Sequence, residues 1–337
     1  MNENFEALAA KILETIKVSK NVLLHCHPSP DPDSTGSALA VLHFLEEQGK
    51  KVTLIKGDSP IPDFAEFLPG HEKIVEKNYL EVDLSVFDLF IILDSGGLSR
   101  VTTLGEVKFP KMMKTILIDH HASSEPCADI NLIDPSYAAT AEMLCELFRI
   151  WQVSITKEMA ACLLTGLYTD SGGFKFANTT ARTFDCAARL AKISPDYHRI
   201  IFGFENNRAP ESVYFEGLAL SSIQNFYHNQ VAITALSAER LQALGFNENH
   251  ANTISIANIL KSVKGWDIGI SMYEWQPGLV KLSARTRDAD IYDLTKFAVL
   301  VGGGGHKAAV GAYIKKTLAE AQELVLEKLK EAYSTLD

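Results

Sequence analysis

The chain has 337 residues, 47% hydrophobic and 22% charged, a composition that supports buried cores and has room for two domains. Its 42 acidic and 32 basic residues give a net charge of −10, which argues against a surface that tracks long nucleic acid, since phosphate neutralisation supplies most of that affinity. No stretch reaches the ~18 uninterrupted apolar residues that a membrane span needs, so neither a membrane nor a long polynucleotide is an expected partner.

Residues 1–6 lack the basic start and apolar run of a signal peptide, and the expected location is the cytoplasm. The five cysteines, Cys26, Cys127, Cys145, Cys162 and Cys186, form no CxxC pair. They read as reduced thiols rather than disulfides or a zinc knuckle.

In chain order, residues 4–18 place apolar groups at helical spacing and predict an entry helix. Residues 21–27 (NVLLHCH) predict a short buried strand. Residues 34–48 return to helical spacing, with Gly49 as a C-cap. Strands follow at 51–55, 87–94, 115–119 and 130–133, and helices at 139–152, 156–169 and 180–192. Several strands are apolar throughout, as parallel strands covered on both faces are. Strands alternating with helices predict an α/β fold with a doubly wound parallel sheet over residues 1–190. Residues 191–225 read as a helical connector. Strands at 230–236, 267–273 and 279–284, with helices at 251–260, 292–301 and 317–333, predict a smaller α/β domain with a mixed sheet over 226–337.

Acidic and imidazole residues fall where those strands end. The first strand runs into His27, Asp31 and Asp33; the strand at 87–94 ends on Asp94; the strand at 115–119 ends on Asp119, followed by His120 and His121. The helix at 156–169 runs into Asp170. Ligands of open parallel sheets bind beyond the carboxyl ends of the strands, so these groups are expected at one rim. Each has an ordinary alternative: Asp-Pro-Asp as a turn, Asp94 as a strand terminator, Asp-His-His as solvated residues, Asp170 as an N-cap. One site explains all four together. His25 and Cys26, beside His27, read as strand residues.

Clustered carboxylates repel unless cations neutralise them. An oxygen-rich set with one or two imidazoles suits manganese or magnesium better than zinc. Two such ions are a recurrent device of phosphoryl hydrolysis, acidifying a bridging water and neutralising charge on the reacting oxygens.

With His27-x-x-x-Asp31-x-Asp33, Asp94, Asp119-His120-His121 and Asp170 in that order, the chain resembles the DHH phosphoesterases. The resemblance implies that His27, Asp31 and Asp94 hold one Mn2+ ion and that Asp33, Asp94, His120 and Asp170 hold a second, with Asp94 shared and Mg2+ a possible substitute. It further implies that His121 binds the scissile phosphate or protonates the leaving group, and that Asp119 orients the histidines. Asp94, Asp119 and His121 are thus the expected catalytic residues.

A second motif lies near the C-terminus. Gly302 to Gly305 precede His306, and Ser283-Ala284-Arg285-Thr286 lies upstream. Glycines let backbone amides approach an anion, and arginine grips phosphate through two donors. This pairing resembles the DHHA1 domain, whose glycine-histidine segment and Ser-x-Arg strand hold substrate. By that resemblance Ser283, Arg285, Gly303, Gly304, Gly305 and His306 are substrate-binding residues; Thr286 stands where related chains often carry serine.

Domain order and length resemble the oligoribonuclease and pAp-phosphatase group, which implies hydrolysis of short RNA oligonucleotides or small nucleotides. Cyclic di-AMP or pApA hydrolysis is the alternative from the same motifs. A nucleotide-binding regulatory module with lost chemistry is a third reading, opposed by the presence of every motif acid and histidine. The motifs leave a homodimer open.

Overall fold

The computed structural model describes residues 3–251 and 255–336. The chain divides into two compact units, 1–207 and 208–337.

The first unit begins with helix α1 (Glu3–Val18), then β1 (Asn21–His25), α2 (Pro32–Glu47), β2 (Lys51–Ile55), the short β3 (Ile74–Val75), β4 (Leu89–Leu93), β5 (Lys114–Asp119) and β6 (Ile130–Ile133). Helices α3 (Thr140–Ile150), α4 (Lys157–Asp170), α5 (Ala181–Ile193) and α6 (Tyr197–Glu205) complete it. The six strands form a parallel sheet in the order β3-β2-β1-β4-β5-β6. The order reverses between β1 and β4, and the strand ends flanking such a reversal open a crevice for ligands.

β4 is buried at every position, yet its side chains alternate between two cores as a pleated strand requires. Leu89, Ile91 and Leu93 pack with Val22, Leu24, Leu42, Phe44, Leu144 and Phe148 under the α-helices. Phe90 and Ile92 pack on the other face with Leu23, Ile55, Tyr79, Val101 and Leu117. That second face is covered by 3-10 turns at Tyr79–Glu81 and Leu98–Arg100 and their neighbouring segments.

The helix ends follow local chemistry. α2 starts two residues before the expected 34, because Asp31 accepts the Ser34 amide at 2.9 Å and Pro32 occupies the first turn; proline there sacrifices no helical hydrogen bond. Gly49, one residue past the cap at Gln48, has φ +70°. Its amide bonds Glu46 O and the Lys50 amide bonds Leu45 O, the paired bonds of a glycine-terminated helix.

The second unit contains α7 (Pro210–Ser221), β7 (Ile223–Phe226), β8 (Val231–Leu236), α8 (Ala238–Ala243), α9 (Ile256–Ser262), β9 (Ile268–Gln276), β10 (Leu279–Thr286), α10 (Leu294–Leu300), β11 (Gly304–His306), β12 (Ala309–Ile314) and α11 (Leu318–Ala332). Its sheet runs β11-β12-β10-β9-β8-β7. β8 and β9 pair in parallel and the other neighbours antiparallel, so the sheet is mixed. The core gathers Ile233, Ile270, Leu282, Phe297, Val310 and Val325. The helix expected over 251–260 partly covers residues 252–254, which lie outside the described residues; α9 begins at Ile256. The stretch 191–225 is divided between the units: α6 packs on α4, while α7 packs on β8. Among the described residues no helix is long and apolar enough to cross a membrane.

Candidate metal centre

His27 lies two residues past the end of β1, which stops at His25 rather than at 27. Its Nδ1 faces the Pro28 carbonyl at 2.9 Å, which leaves Nε2 turned to the carboxylates of Asp31 and Asp94, each at 3.6 Å. Asp94 follows β4 directly, in the left-handed region at φ +53°, a conformation that costs energy in a residue with a Cβ. Its Oδ1 accepts the Thr140 hydroxyl at 3.0 Å, and its buried Oδ2 has no hydrogen-bond partner among the described residues.

Asp33 is fully buried in the first turn of α2. Its carboxylate accepts the amides of Thr140 at 2.7 Å and Ala141 at 3.0 Å. Those are the first amides of α3, whose own N-cap, Ala139, offers no side-chain oxygen. A residue 107 positions upstream therefore caps the helix, meeting donors that no intrahelical partner can satisfy.

The Asp-His-His triplet divides its tasks. His120 turns Nδ1 to the Tyr137 carbonyl at 3.4 Å and Nε2 to Asp170 at 3.2 Å and Asp94 at 3.6 Å. Close as Asp170 is, the buried Nε2 is not aligned for a hydrogen bond with it. His121 instead bonds Asp119, through Nδ1 at 2.7 Å and through its amide at 3.2 Å. Asp119 also accepts the Ser124 hydroxyl. The resemblance implies that Asp119 orients both histidines; its carboxylate bonds His121 and Ser124, and a main-chain carbonyl faces His120. His25 and Cys26 are buried outside the cluster, and Cys26 falls one residue past the strand. Burial, then the neighbouring His27, pushes His25 down to about 3, so its ring is neutral.

Three sets of side chains bring ligand atoms within 4.8 Å of one another: His27, Asp31 and Asp94; Asp33, His120 and Asp170; and Asp94, His120 and His121. In the metal-free protein the charges strain against each other. Burial raises Asp33 well above the usual carboxylate range, and Asp94 and Asp170 add repulsion. Burial also raises Asp170, with Asp94 and Asp31 contributing against the pull of His120. Burial alone would lower the two imidazoles, but Asp31 and Asp94 lift His27 to about 9, and Asp170, Asp33 and Asp94 lift His120 to about 9. Such a set is relieved when a cation takes the place of the protons.

The C-terminal motif residues meet on the second unit's sheet. Ser283 pairs with Gly311 of β12, which pairs with Gly304 of β11; Arg285 pairs with Ala309, which pairs with His306. Cross-strand partners share a face, so Arg285 and His306 lie on one face with only an alanine between, and Ser283 and Gly304 likewise flank a glycine. Arg285 donates to Ser283 Oγ at 3.1 Å and to the Ala284 carbonyl at 2.9 Å. The glycine run is not a linker but an edge strand. A Cβ at Gly303 would sit 2.4 Å from Gly311 O, and Gly305 has φ +140°.

The description "DHH family, N-terminal domain" matches residues 21–167. The bifunctional oligoribonuclease and PAP phosphatase NrnA of Thermus thermophilus is 31% identical over 332 residues, covering 96% of this chain and 93% of that protein. The chain belongs to the DHH family of phosphoesterases. A protein of the same name from Bacillus subtilis is 23% identical, with 91% of this chain and 93% of that one covered. The crystal structure of an exopolyphosphatase-related protein from Bacteroides fragilis shares the fold, with a TM-score of 0.86 at 24% identity and 98% of both chains covered.

The DHH donor set fits divalent metal: carboxylate oxygens and imidazole nitrogens converge, and two of the atoms aimed inward, Asp94 Oδ2 and His120 Nε2, are buried without a hydrogen-bond partner among the described residues. Three contributors escaped the sequence reading. Thr140 touches both Asp33 and Asp94, Tyr137 faces His120 through its carbonyl, and Arg100 reaches His27. Only Arg100 had a usable signal, as a basic residue six positions after a motif aspartate.

Proposed function

We propose that this DHH protein is a phosphoesterase that hydrolyses short oligoribonucleotides and 3′-phosphoadenosine 5′-phosphate with two divalent cations, manganese foremost. The observation that carries the reading is the sharing of Asp94 between adjoining carboxylate–imidazole groups at the ends of β1, β4 and β5. The name borne by the Thermus thermophilus relative supports the substrate class. In this reading His27, Asp31 and Asp94 hold one cation, and Asp33, Asp94, His120 and Asp170 the other. The chemistry that such a pair supplies is neutralisation of phosphate charge and acidification of water near neutral pH.

The chain's own residues do the rest. Asp119 fixes the His121 ring through Nδ1, and that contact raises the His121 pKa. The ring then carries a proton on Nε2 that it delivers to the leaving oxygen as the phosphorus–oxygen bond breaks, so water and a diester become a phosphomonoester and an alcohol, and water and the monoester become inorganic phosphate and an alcohol. His121 is half exposed, as a group that meets substrate must be, whereas Asp119 is buried behind it. In the second unit, Ser283, Arg285, His306 and the amides of Gly303, Gly304 and Gly305 hold the nucleotide's phosphate and base.

The test is hydrolysis by purified protein with and without manganese. The substrates are 3′-phosphoadenosine 5′-phosphate, pApA, cyclic di-AMP and labelled RNA of graded length. Cation-dependent turnover of the monoester and the shortest RNAs is the expected result. Turnover of cyclic di-AMP alone would reassign the substrate, and absence of any cation-dependent hydrolysis would overturn the reading.

A further inference from the structure

Arg100 ends the 3-10 turn Leu98–Arg100, six residues after Asp94. Its Nη2 lies 3.3 Å from His27 Nδ1 and 3.2 Å from Nε2. Near-equal distances to two nitrogens of one ring put Nη2 over the ring face, since an in-plane approach at that spacing would run into ring carbon. An Nη2–H is therefore directed onto the face of the ring between the two nitrogens rather than along either in-plane lone pair. Nδ1 is in any case turned to the Pro28 carbonyl.

That contact engages one Nη2–H and leaves the remaining N–H donors of the guanidinium without a partner among the described residues. Among the described residues Arg100 forms no ion pair, although Asp31 and Asp94 stand on the Nε2 side of the same ring. Its backbone is held on both sides. Gly97 turns the chain at φ +143°, and the Arg100 amide bonds its carbonyl at 3.0 Å. Val101 is buried in the core. Beyond it, the Asp58 carboxylate accepts the Thr102 hydroxyl at 2.7 Å, the Thr103 amide at 2.5 Å and the Thr103 hydroxyl at 2.8 Å. An exposed arginine on so pinned a segment is pre-organised to meet a ligand.

We propose that Arg100 is a phosphate-binding residue of the first unit, gripping a non-bridging oxygen of the substrate phosphate seated beside His27. This rests on the phosphoesterase reading. When cations neutralise the surrounding carboxylates, the remaining negative partner is the substrate, and an anion between guanidinium and cations removes the repulsion they would otherwise feel. The planar fork suits two phosphate oxygens, which an ammonium cannot match.

The experiment compares wild type with Arg100→Ala, Arg100→Gln and Arg100→Lys. Manganese binding is followed by the electron paramagnetic resonance signal of free Mn2+. Inorganic phosphate binding to the manganese-loaded protein is measured by calorimetry and as inhibition of ester hydrolysis. The expected result is phosphate affinity at least tenfold weaker in the Ala and Gln variants, partly restored by Lys, with manganese binding unchanged or tighter. If manganese binding falls instead and phosphate affinity holds, Arg100 merely props His27 and the proposal fails. If wild type hydrolyses esters but phosphate affinity ignores all three substitutions, the proposal fails while the phosphoesterase reading stands. If wild type hydrolyses nothing yet binds phosphate through Arg100, the grip stands and that reading fails. Should the Ala variant not fold, the Gln and Lys variants decide the question.

Discussion

At the scale of single residues, the site works because a few atoms are denied their ordinary partners. Asp94 combines a left-handed backbone, a carboxylate oxygen committed to Thr140 and another with no partner among the described residues. A buried unpaired carboxylate oxygen costs free energy unless a ligand meets it. Asp94→Ala is therefore expected to lower turnover roughly 1000-fold or more, about 4 kcal/mol of barrier. The circular dichroism melt of the metal-free variant should survive, because one repelling carboxylate is gone. Near-wild-type manganese-dependent turnover would refute the assignment. His120 and His121 should separate cleanly. His120 aims Nε2 at Asp170 and Asp94, so His120→Ala should weaken manganese binding. His121 has its Nδ1 committed to Asp119, so His121→Ala should keep metal affinity and lose about 100-fold or more in kcat, as loss of a general acid does. Equal losses of metal affinity in the two variants would show the roles to be wrongly divided.

At the scale of elements, the site depends on how closely α2 and α4 approach. A Cβ at Gly36 would meet Cys162 O at 2.5 Å, and a Cβ at Gly166 would meet Asp33 Oδ1 at 2.5 Å. These two glycines let the helices touch backbone to backbone, which presses Asp33 against the α3 amides while α4 delivers Asp170 at its last turn. Gly166→Ala should displace the Asp33 carboxylate, destabilise by about 1–3 kcal/mol through overpacking and weaken manganese binding. Gly217→Ala is the matched control: it lies inside α7 with open space around it, so the helix should gain about 0.5–1 kcal/mol. Calorimetric melts with parallel manganese titrations would check both. Similar behaviour of the two variants would show that helix approach does not govern the site.

At the scale of the whole molecule, charge ties stability to pH and to substrate length. His27 and His120 rise from 6.5 to about 9 in the metal-free fold. A raised folded value means that the proton is held more tightly in the folded state. The stabilisation is complete below pH 6.5 and lost as pH climbs through about 9; the raised Asp33 and Asp170 act in the same sense. The melting temperature in chelator should therefore fall between pH 6.5 and 9. The increment from added manganese should grow over the same interval, because its ligands no longer have protons to release. A flat profile in chelator would contradict the pairing described. Net −10 also offers no platform for a long strand. Hydrolysis should thus decline as RNA lengthens beyond a few nucleotides, with a shallow salt dependence. A twenty-nucleotide RNA cut faster than a trinucleotide, with a steep salt slope, would point to a processive nuclease.

The local sequence determined five of the six strands of the parallel sheet and the acids and imidazoles at their ends, because apolar runs and the residues that terminate them are short-range signals; the two-residue β3 is too short to leave such a run. Boundaries shifted where a cap or turn intervened: β1 stops at His25, and α2 starts at Pro32 because Asp31 caps it. The glycine run hid β11, since a strand that pairs only through its backbone at an edge leaves no side-chain pattern. Only the tertiary structure decided which partner each group meets. Asp33 caps a helix far along the chain, Asp119 bonds His121 and not His120, and Arg100 reaches the His27 ring, all through contacts between segments separated in sequence or through rotamers that packing selects. Residue identity and spacing set which chemistry the chain carries. The parallel pairing of β1 with β4 at the reversal of strand order, and the glycine-mediated approach of α2 and α4, set where each atom stands.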